Sequence, residues 1–242
     1  KTGTIKKGEN KMKVEVSSGL NYEEIASLPT YQNKYGTGTG FAYQQSNGSW
    51  GAPFRGVSPY PTIDSINHWY LGAGYGASYN RLVQAGDPRV TPKVAYRPYP
   101  DNVKDVFQRG NVKDNSITIS GGNQNTNMAL TFSRVDHSGI YPNSSFDKTS
   151  VSLGANSSFE GGLRLSANFA YVNSIQTGLQ GGAIGSASTS SFMARTLYQG
   201  RNWDLHCQPF EDPITKGSLF MIALGQSDNP LWPARYNGFS GD

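Results

Sequence analysis

Apolar and polar side chains alternate with a period of two in five stretches of this sequence. In the first, Met12, Val14, Val16 and Leu20 share one face, and Lys13, Glu15 and Ser17 share the other. In the second, Ile117 and Ile119 alternate with Ser116, Thr118 and Ser120. Met128, Leu130 and Phe132 then alternate with Ala129, Thr131 and Ser133. Val151, Leu153, Ala155 and Phe159 alternate with Ser152, Gly154, Asn156 and Ser158. The longest stretch sets Leu163, Leu165, Ala167, Phe169, Tyr171 and Ile175 against Arg164, Ser166, Asn168, Ala170 and Ser174. A period of two is the signature of a β-strand with one apolar face. It predicts strands near residues 11–20, 115–122, 127–137, 149–159 and 163–175.

The spacers carry the topology. Tight turns are expected at 123–126 and at 160–162, a medium loop at 138–148, and long loops at 21–114 and 176–242. In an up-and-down meander the short turns then fall at one end and the longer loops at the other, as in transmembrane β-barrels with short periplasmic turns and long extracellular loops. Several strands also exceed the ~5–6 residues of an ordinary globular strand and reach the ~9–11 that a tilted membrane strand needs. Apart from Lys13, Glu15 and Arg164, their polar faces hold small uncharged residues, which suits a water-filled lumen. The fold class expected is therefore all-β, an antiparallel transmembrane β-barrel with long extracellular loops. Five strands cannot close a barrel, since the smallest single-chain ones have about eight. Lys1 starts within an element and Asp242 stops within a loop, so part of something larger is expected. One helix is predicted over Asp101–Gly110, with Asp101 as cap, Val103, Val106 and Phe107 as an apolar stripe and Gly110 as stop. Leu165 reads as a mid-strand, lipid-facing position, and Ser186–Ser191 as a flexible loop.

Composition changes this picture little. Gly, Ser, Asn and Thr supply 90 of the 242 residues, and charged residues only 16%. That suits turns and two-sided strands, not helices or a charge-rich disordered tail. No apolar run nears the ~18 residues of a membrane helix. The net charge of +4 is front-loaded at Lys1, Lys6, Lys7, Lys11 and Lys13 and otherwise mixed in sign, so no nucleic-acid partner is expected. Cys207 stands alone and pairs with nothing in the chain. No leader pattern stands at Lys1, so any targeting signal is expected outside this sequence.

Catalytic patterns are weak. Gly72–Ala77 fits G-x-G-x-x-A, but it follows no strand and opens no convincing helix, so it reads as an aromatic-glycine loop. Gly36, Gly38 and Gly40 read as loop glycines. His68, His137 and His206 share no metal-ligand spacing. No G-x-S-x-G elbow occurs. Asp204, Glu211 and Asp212 share a loop with Trp203 and would serve glycoside hydrolysis only at a suitable carboxylate separation. No cofactor, metal or catalytic residue is expected, and the chain reads as no enzyme. The best ligand signal is aromatic. Trp50, Tyr60, Trp69, Tyr70, Tyr75, Tyr96, Trp203 and Trp232 stud the long loops and are the candidates for contacting a ligand or partner. Rings have flat apolar faces for sugars and side chains, and they also serve loops that must bury something to stay ordered.

Several motifs in order carry a resemblance. Leu28–Gly36 (LPTYQNKYG), Tyr99–Gly110 (YPDNVKDVFQRG), Ser116–Asn123 (SITISGGN) and Asp136–Ser144 (DHSGIYPNS) resemble the first barrel strands and loops of SusC-like TonB-dependent transporters. Lys1-Thr2-Gly3 resembles the end of that family's plug, and Asp228–Trp232 is a weaker echo. The resemblance implies residues 1–10 as the end of the plug and its linker, and 11–242 as the N-terminal part of a plugged barrel of ~22 strands. It further implies the Gram-negative outer membrane, of Bacteroidetes type, as location, and import of oligosaccharides or peptides as function. The implied partners are the lipid bilayer, the chain's own plug, TonB acting through a missing N-terminal part, and a SusD-like surface lipoprotein. Two other readings remain open at this stage: a secreted β-sandwich that binds glycans, and a glycoside hydrolase using Asp204 with Glu211 or Asp212.

Overall fold

Alternating apolar and polar positions form the heart of each long strand of the computed structural model, and turn-forming sequences end it. The structure describes residues 11–46, 48–57, 63–178, 192–222 and 229–236. The expected plug end and linker at 1–10, Tyr60, the 186–191 stretch and Asp228 lie outside them. In chain order, strand β1 covers Lys11–Glu23, β2 Gly38–Thr39, β3 Ala42–Tyr43 and β4 Ser65–Asn67. Helices α1 (Trp69–Gly72) and α2 (Gly76–Gln84) follow, then β5 (Lys93–Ala95) and one 3-10 turn at Lys104–Val106. Four long strands come next: β6 (Gly110–Gly122), β7 (Thr126–Ser138), β8 (Ser145–Ser158) and β9 (Arg164–Thr177). Helices α3 (Phe192–Leu197) and α4 (Leu231–Tyr236) complete the described elements.

The chain divides into two units. The first, residues 11–24, 109–140 and 144–178, is a five-stranded antiparallel sheet in the order β1-β6-β7-β8-β9. All five predicted strands are present, each longer than the alternation alone marked. The turn between β6 and β7 is fixed by Asn123, whose Oδ1 accepts hydrogen bonds from the amides of Asn125 (2.9 Å) and Thr126 (2.8 Å). The β8–β9 turn uses Gly161 and Gly162, both at positive φ, where a side chain would be strained. Leu165 proves to be the second residue of β9, paired with Ser157, and not a mid-strand position.

Cross-strand register aligns the apolar positions into three rows on one face. They run Met12–Gly121–Met128–Ala155–Ala167, Val14–Ile119–Leu130–Leu153–Phe169 and Val16–Ile117–Phe132–Val151–Tyr171. The opposite face carries rows such as Glu15–Thr118–Thr131–Ser152–Ala170. There the Thr118 and Thr131 hydroxyls bond each other at 3.0 Å.

The second unit, residues 25–46, 48–57, 63–108, 141–143, 192–222 and 229–236 of the described chain, holds all of the hydrophobic core buried among the described residues. Its centre includes Phe54, Trp69, Tyr70, Trp203, Leu219 and Met221. Its elements are short. The β2–β3 hairpin turns on Gly40 and Phe41, both at positive φ (60° and 62°), the mirror-image turn that matches strand twist. Close packing here demands glycine: a Cβ on Gly51 would collide with the Thr37 carbonyl oxygen.

Two sequence expectations are corrected here. Residues 101–110 do not form a helix. Only the 3-10 turn at Lys104–Val106 is helical, Phe107 is extended (ψ 147°), and Gly110 opens β6 instead of closing a helix. Conversely, the glycine-rich segment at 72–77 is not a plain loop, because it leads from α1 into α2. It still follows no strand, and α2 lacks a side-chain cap at Tyr75.

Candidate functional site

Every apolar side chain in the three rows is at least partly exposed. Val16 is 74% exposed, Phe169 59% and Leu130, on the central strand, 39%. Among the described residues, no hydrophobic side chain of the sheet counts as buried, whereas the second unit buries over twenty. A water-soluble sheet hides such a face against another layer. This band also has polar borders. Thr126 and Ser157 bond each other at one margin (3.0 Å), and Asn115, Arg134 and Thr149 form a row at the other. The eight residue steps from Thr126 to Arg134 span roughly 27 Å along a strand, and a tilt of ~40° reduces that to about 20 Å, near the ~25 Å apolar band of outer-membrane barrels. Beyond the far border the same face becomes charged, with Lys113, Asp136 and Asp147 in register.

The aromatic candidates divide sharply. Trp69, Tyr70, Tyr75, Tyr96, Trp203 and Trp232 are all buried. Tyr96 packs on Phe54 at 5.0 Å and its hydroxyl donates to the Ala52 carbonyl. Trp203 meets Phe220 at 4.7 Å. Tyr70 donates its hydroxyl to the Pro209 carbonyl, and the Trp232 indole donates to the Lys216 carbonyl at 2.7 Å. These rings hold the loop unit together in this state. Trp50 alone of the described candidates is well exposed, with its ring 5.4 Å from Tyr35, which in turn lies 5.5 Å from Phe41.

Sequence patterns did not single out the polar framework of this unit. Arg201 is buried, donating to Asn33 Oδ1, Asn102 Oδ1 and the Tyr99 and Pro100 carbonyls, with its guanidinium over the Tyr31 ring. Asn102 in turn donates to the Gly200 and Trp203 carbonyls, both at 2.9 Å. Asp212, one of the acids a hydrolase would use, is committed to structure. It accepts from Arg81 and from the Ile214 and Thr215 amides. Burial pushes its carboxyl up, but Arg81, Ser78 and those amides together hold it well below the usual carboxylate range. Glu211 accepts the Tyr236 hydroxyl at 2.6 Å. Cys207 is an exposed free thiol, and no cluster of three or more metal-ligating side chains occurs among the described residues.

His68 gives the unit a titratable weak point. It is fully buried, its Nδ1 accepts the Tyr70 amide, and its Nε2 has no hydrogen-bond partner among the described residues. Burial lowers its pKa below the ordinary 6.5, and Gln208 only partly opposes that. The unfolded chain therefore takes up a proton below pH 6.5 that the folded chain refuses. Stability from this site is complete above pH 6.5 and declines as the pH falls through that value. Thermal melts followed by tryptophan fluorescence are expected to show this decline, and His68→Asn, which keeps a capping oxygen without titrating, is expected to flatten it.

One cleft of about 520 Å³ opens in the second unit, between the end of α2 and the 209–216 loop. Leu82, Pro88, Pro209 and Phe210 supply apolar walls, and Asp87, Arg89, Glu211, Lys216 and Arg235 supply charge. No protein-family model matches this chain, and no curated protein matches it.

Proposed function

We propose that this chain is part of the wall and outer loops of a large outer-membrane transport barrel, of the SusC-like TonB-dependent type. The observation that carries the reading is the exposed apolar band, three rows tall and five strands wide, on a meander of 13- and 14-residue strands. Such a band is stable against lipid and a liability in water. In this reading the band faces the bilayer, and the Ser-, Thr- and Ala-rich face lines the lumen against the plug. The outer edges of β1 and β9 are unpaired in the sheet, and an open edge has no place in a bilayer. The barrel therefore closes through further strands. The folded second unit serves as an extracellular elaboration that meets the incoming oligosaccharide or peptide and a SusD-like lipoprotein. TonB supplies the energy, and the wall itself does no chemistry.

The test is cell fractionation followed by intact mass of the native polypeptide. Recovery in the outer-membrane fraction, extractable only with detergent and several times heavier than 26.2 kDa, is the expected result. A soluble polypeptide of about that mass overturns the reading and favours a secreted β-sandwich.

A further inference from the structure

We propose that the cleft beside α2 binds a monoanionic carboxylate ligand, with Lys216 and Arg235 gripping the carboxylate and Phe210 packing against the ligand's body. The cleft lies wholly within the second unit, so the inference does not depend on the membrane reading of the sheet. Its volume of about 520 Å³ falls within the ~300–1,000 Å³ typical of small-ligand sites.

The charges around it are unevenly spent. Asp87 holds Arg89 through Nε (2.8 Å) and Nη2, and also accepts the Arg89 amide, so this pair is closed. Glu211 is different. Among the described residues its carboxylate accepts a hydrogen bond only from Tyr236, while Lys216 Nζ stands at 3.5 Å and Arg235 Nη1 at 3.8 Å. Both are ion pairs, but charge-assisted hydrogen bonds close to ~2.7–2.9 Å, so each pair is loose and the carboxylate takes up the donors of neither cation. Among the described residues, neither the Lys216 ammonium nor the Arg235 guanidinium makes any hydrogen bond. Both are more than half exposed. Two cations flank one anion, leaving one excess positive charge and unspent donors at the edge of a cleft with apolar walls and a charged rim. A single carboxylate completes that set. The Arg235 guanidinium also lies 5.8 Å from the Phe210 ring centroid, so the polar grip and the apolar floor adjoin.

The backbone supplies a second, independent sign. Lys216 sits at φ 59°, the left-handed region that glycine or asparagine adopts freely and that strains other residues. Gly217 is the very next residue, yet lysine occupies the strained position. The conformation is enforced from both sides. The Lys216 amide donates to the Asp212 carbonyl at 3.1 Å, and the Trp232 indole holds the Lys216 carbonyl. Non-glycine residues kept in this region gather at binding and switch sites. Here the strain fixes where the lysine stem leaves the loop.

A carboxylate of this kind comes from a peptide C-terminus or from an acidic sugar, and calorimetry on the intact protein separates the two. N-acetyl-Ala-Ala-Phe is titrated against its C-terminal amide, and methyl galacturonoside against neutral methyl galactoside. At least one acid is expected to bind, with its neutral counterpart weaker by about tenfold or more. Binding is expected to weaken as salt is raised. Lys216→Gly is the decisive variant, because it relieves the backbone strain. It is expected to keep or raise the melting temperature while weakening the acid by about tenfold, and Arg235→Gln is expected to weaken it similarly. The proposal is overturned if neither acid binds, if the neutral forms bind equally well, or if Lys216→Gly binds as the wild type does.

Discussion

Leu130→Arg is expected to destabilise the sheet in a bilayer by about 2–4 kcal/mol. Leu130 lies at the middle of the central strand, midway between the polar border residues Thr126 and Arg134, with Ile119 and Leu153 directly across from it. In the proposed barrel an arginine there must drag water or headgroups to the bilayer midplane. The control is depth. Thr126→Arg, on the same face and strand but at the border, is expected to cost only ~0–1 kcal/mol, because the side chain reaches the interface. Ala129→Arg, on the opposite face, is expected to fall below ~1 kcal/mol by the same logic of lumen exposure. The measurement is reversible unfolding by denaturant in lipid vesicles. A water-exposed strand gives values within about ±0.5 kcal/mol at all three positions. A sandwich core gives large values at Leu130 in water, without lipid. Either pattern overturns the membrane placement.

The sheet was legible because one physical rule governs it. A strand with two different environments writes a period of two into its sequence, and 13 or 14 residues are enough to read it. Boundaries were less legible: Asn111, Asp114 and Lys113 break the apolar pattern, so β6 looked shorter than it is. The second unit writes no such period. Its strands have two or three residues, and its cohesion comes from side chains reaching backbone far along the chain, as Asn102 reaches Gly200 and Tyr31 reaches Leu197. The α2 helix was hidden by poor local signals. Its start is glycine-rich and uncapped, and it is held by long-range contacts instead: Tyr79 and Leu82 pack into the core and Arg81 binds Asp212. The opposite error at 101–110 has the same origin. The capping and stripe signals were present, but Asn102 spends its side chain on the Gly200 and Trp203 carbonyls, and the chain must be extended by Phe107 to enter β6. Aromatic loop residues were visible as a group, but burial divides them, and burial belongs to tertiary structure.

Arg201→Ala is expected to cost the second unit about 2–3 kcal/mol, a sizeable share of the ~5–15 kcal/mol that holds a domain together. Arg201 is 1% exposed and faces no carboxylate within ion-pair distance among the described residues. Burial is the largest influence on its guanidinium and pulls its pKa down, opposed by Tyr31 and by the charge of Asp101. An arginine nonetheless stays protonated in proteins. Its charge is therefore solvated by neutral oxygens: Asn33 Oδ1 at 3.1 Å, Asn102 Oδ1, and the Tyr99 and Pro100 carbonyls. The planar fork suits this task, because its donors diverge toward separate acceptors while its face lies on Tyr31 at 4.7 Å. Alanine removes the donors and leaves Asn102 Oδ1 buried and unpaired, a penalty of ~1–3 kcal/mol. The oxygens of Asn33 and Pro100, on exposed residues, turn to water, and the Tyr99 carbonyl keeps the Asn102 amide. Lysine restores the charge but not the fork. Arg201→Lys is therefore expected to recover less than half of the loss. Chemical denaturation followed by the fluorescence of buried Trp203, two residues away, reads both variants. A cost under ~1 kcal/mol for alanine, within the range of an ordinary surface change, would mean that water replaces the guanidinium without penalty and that the loop unit is held by its aromatic core alone.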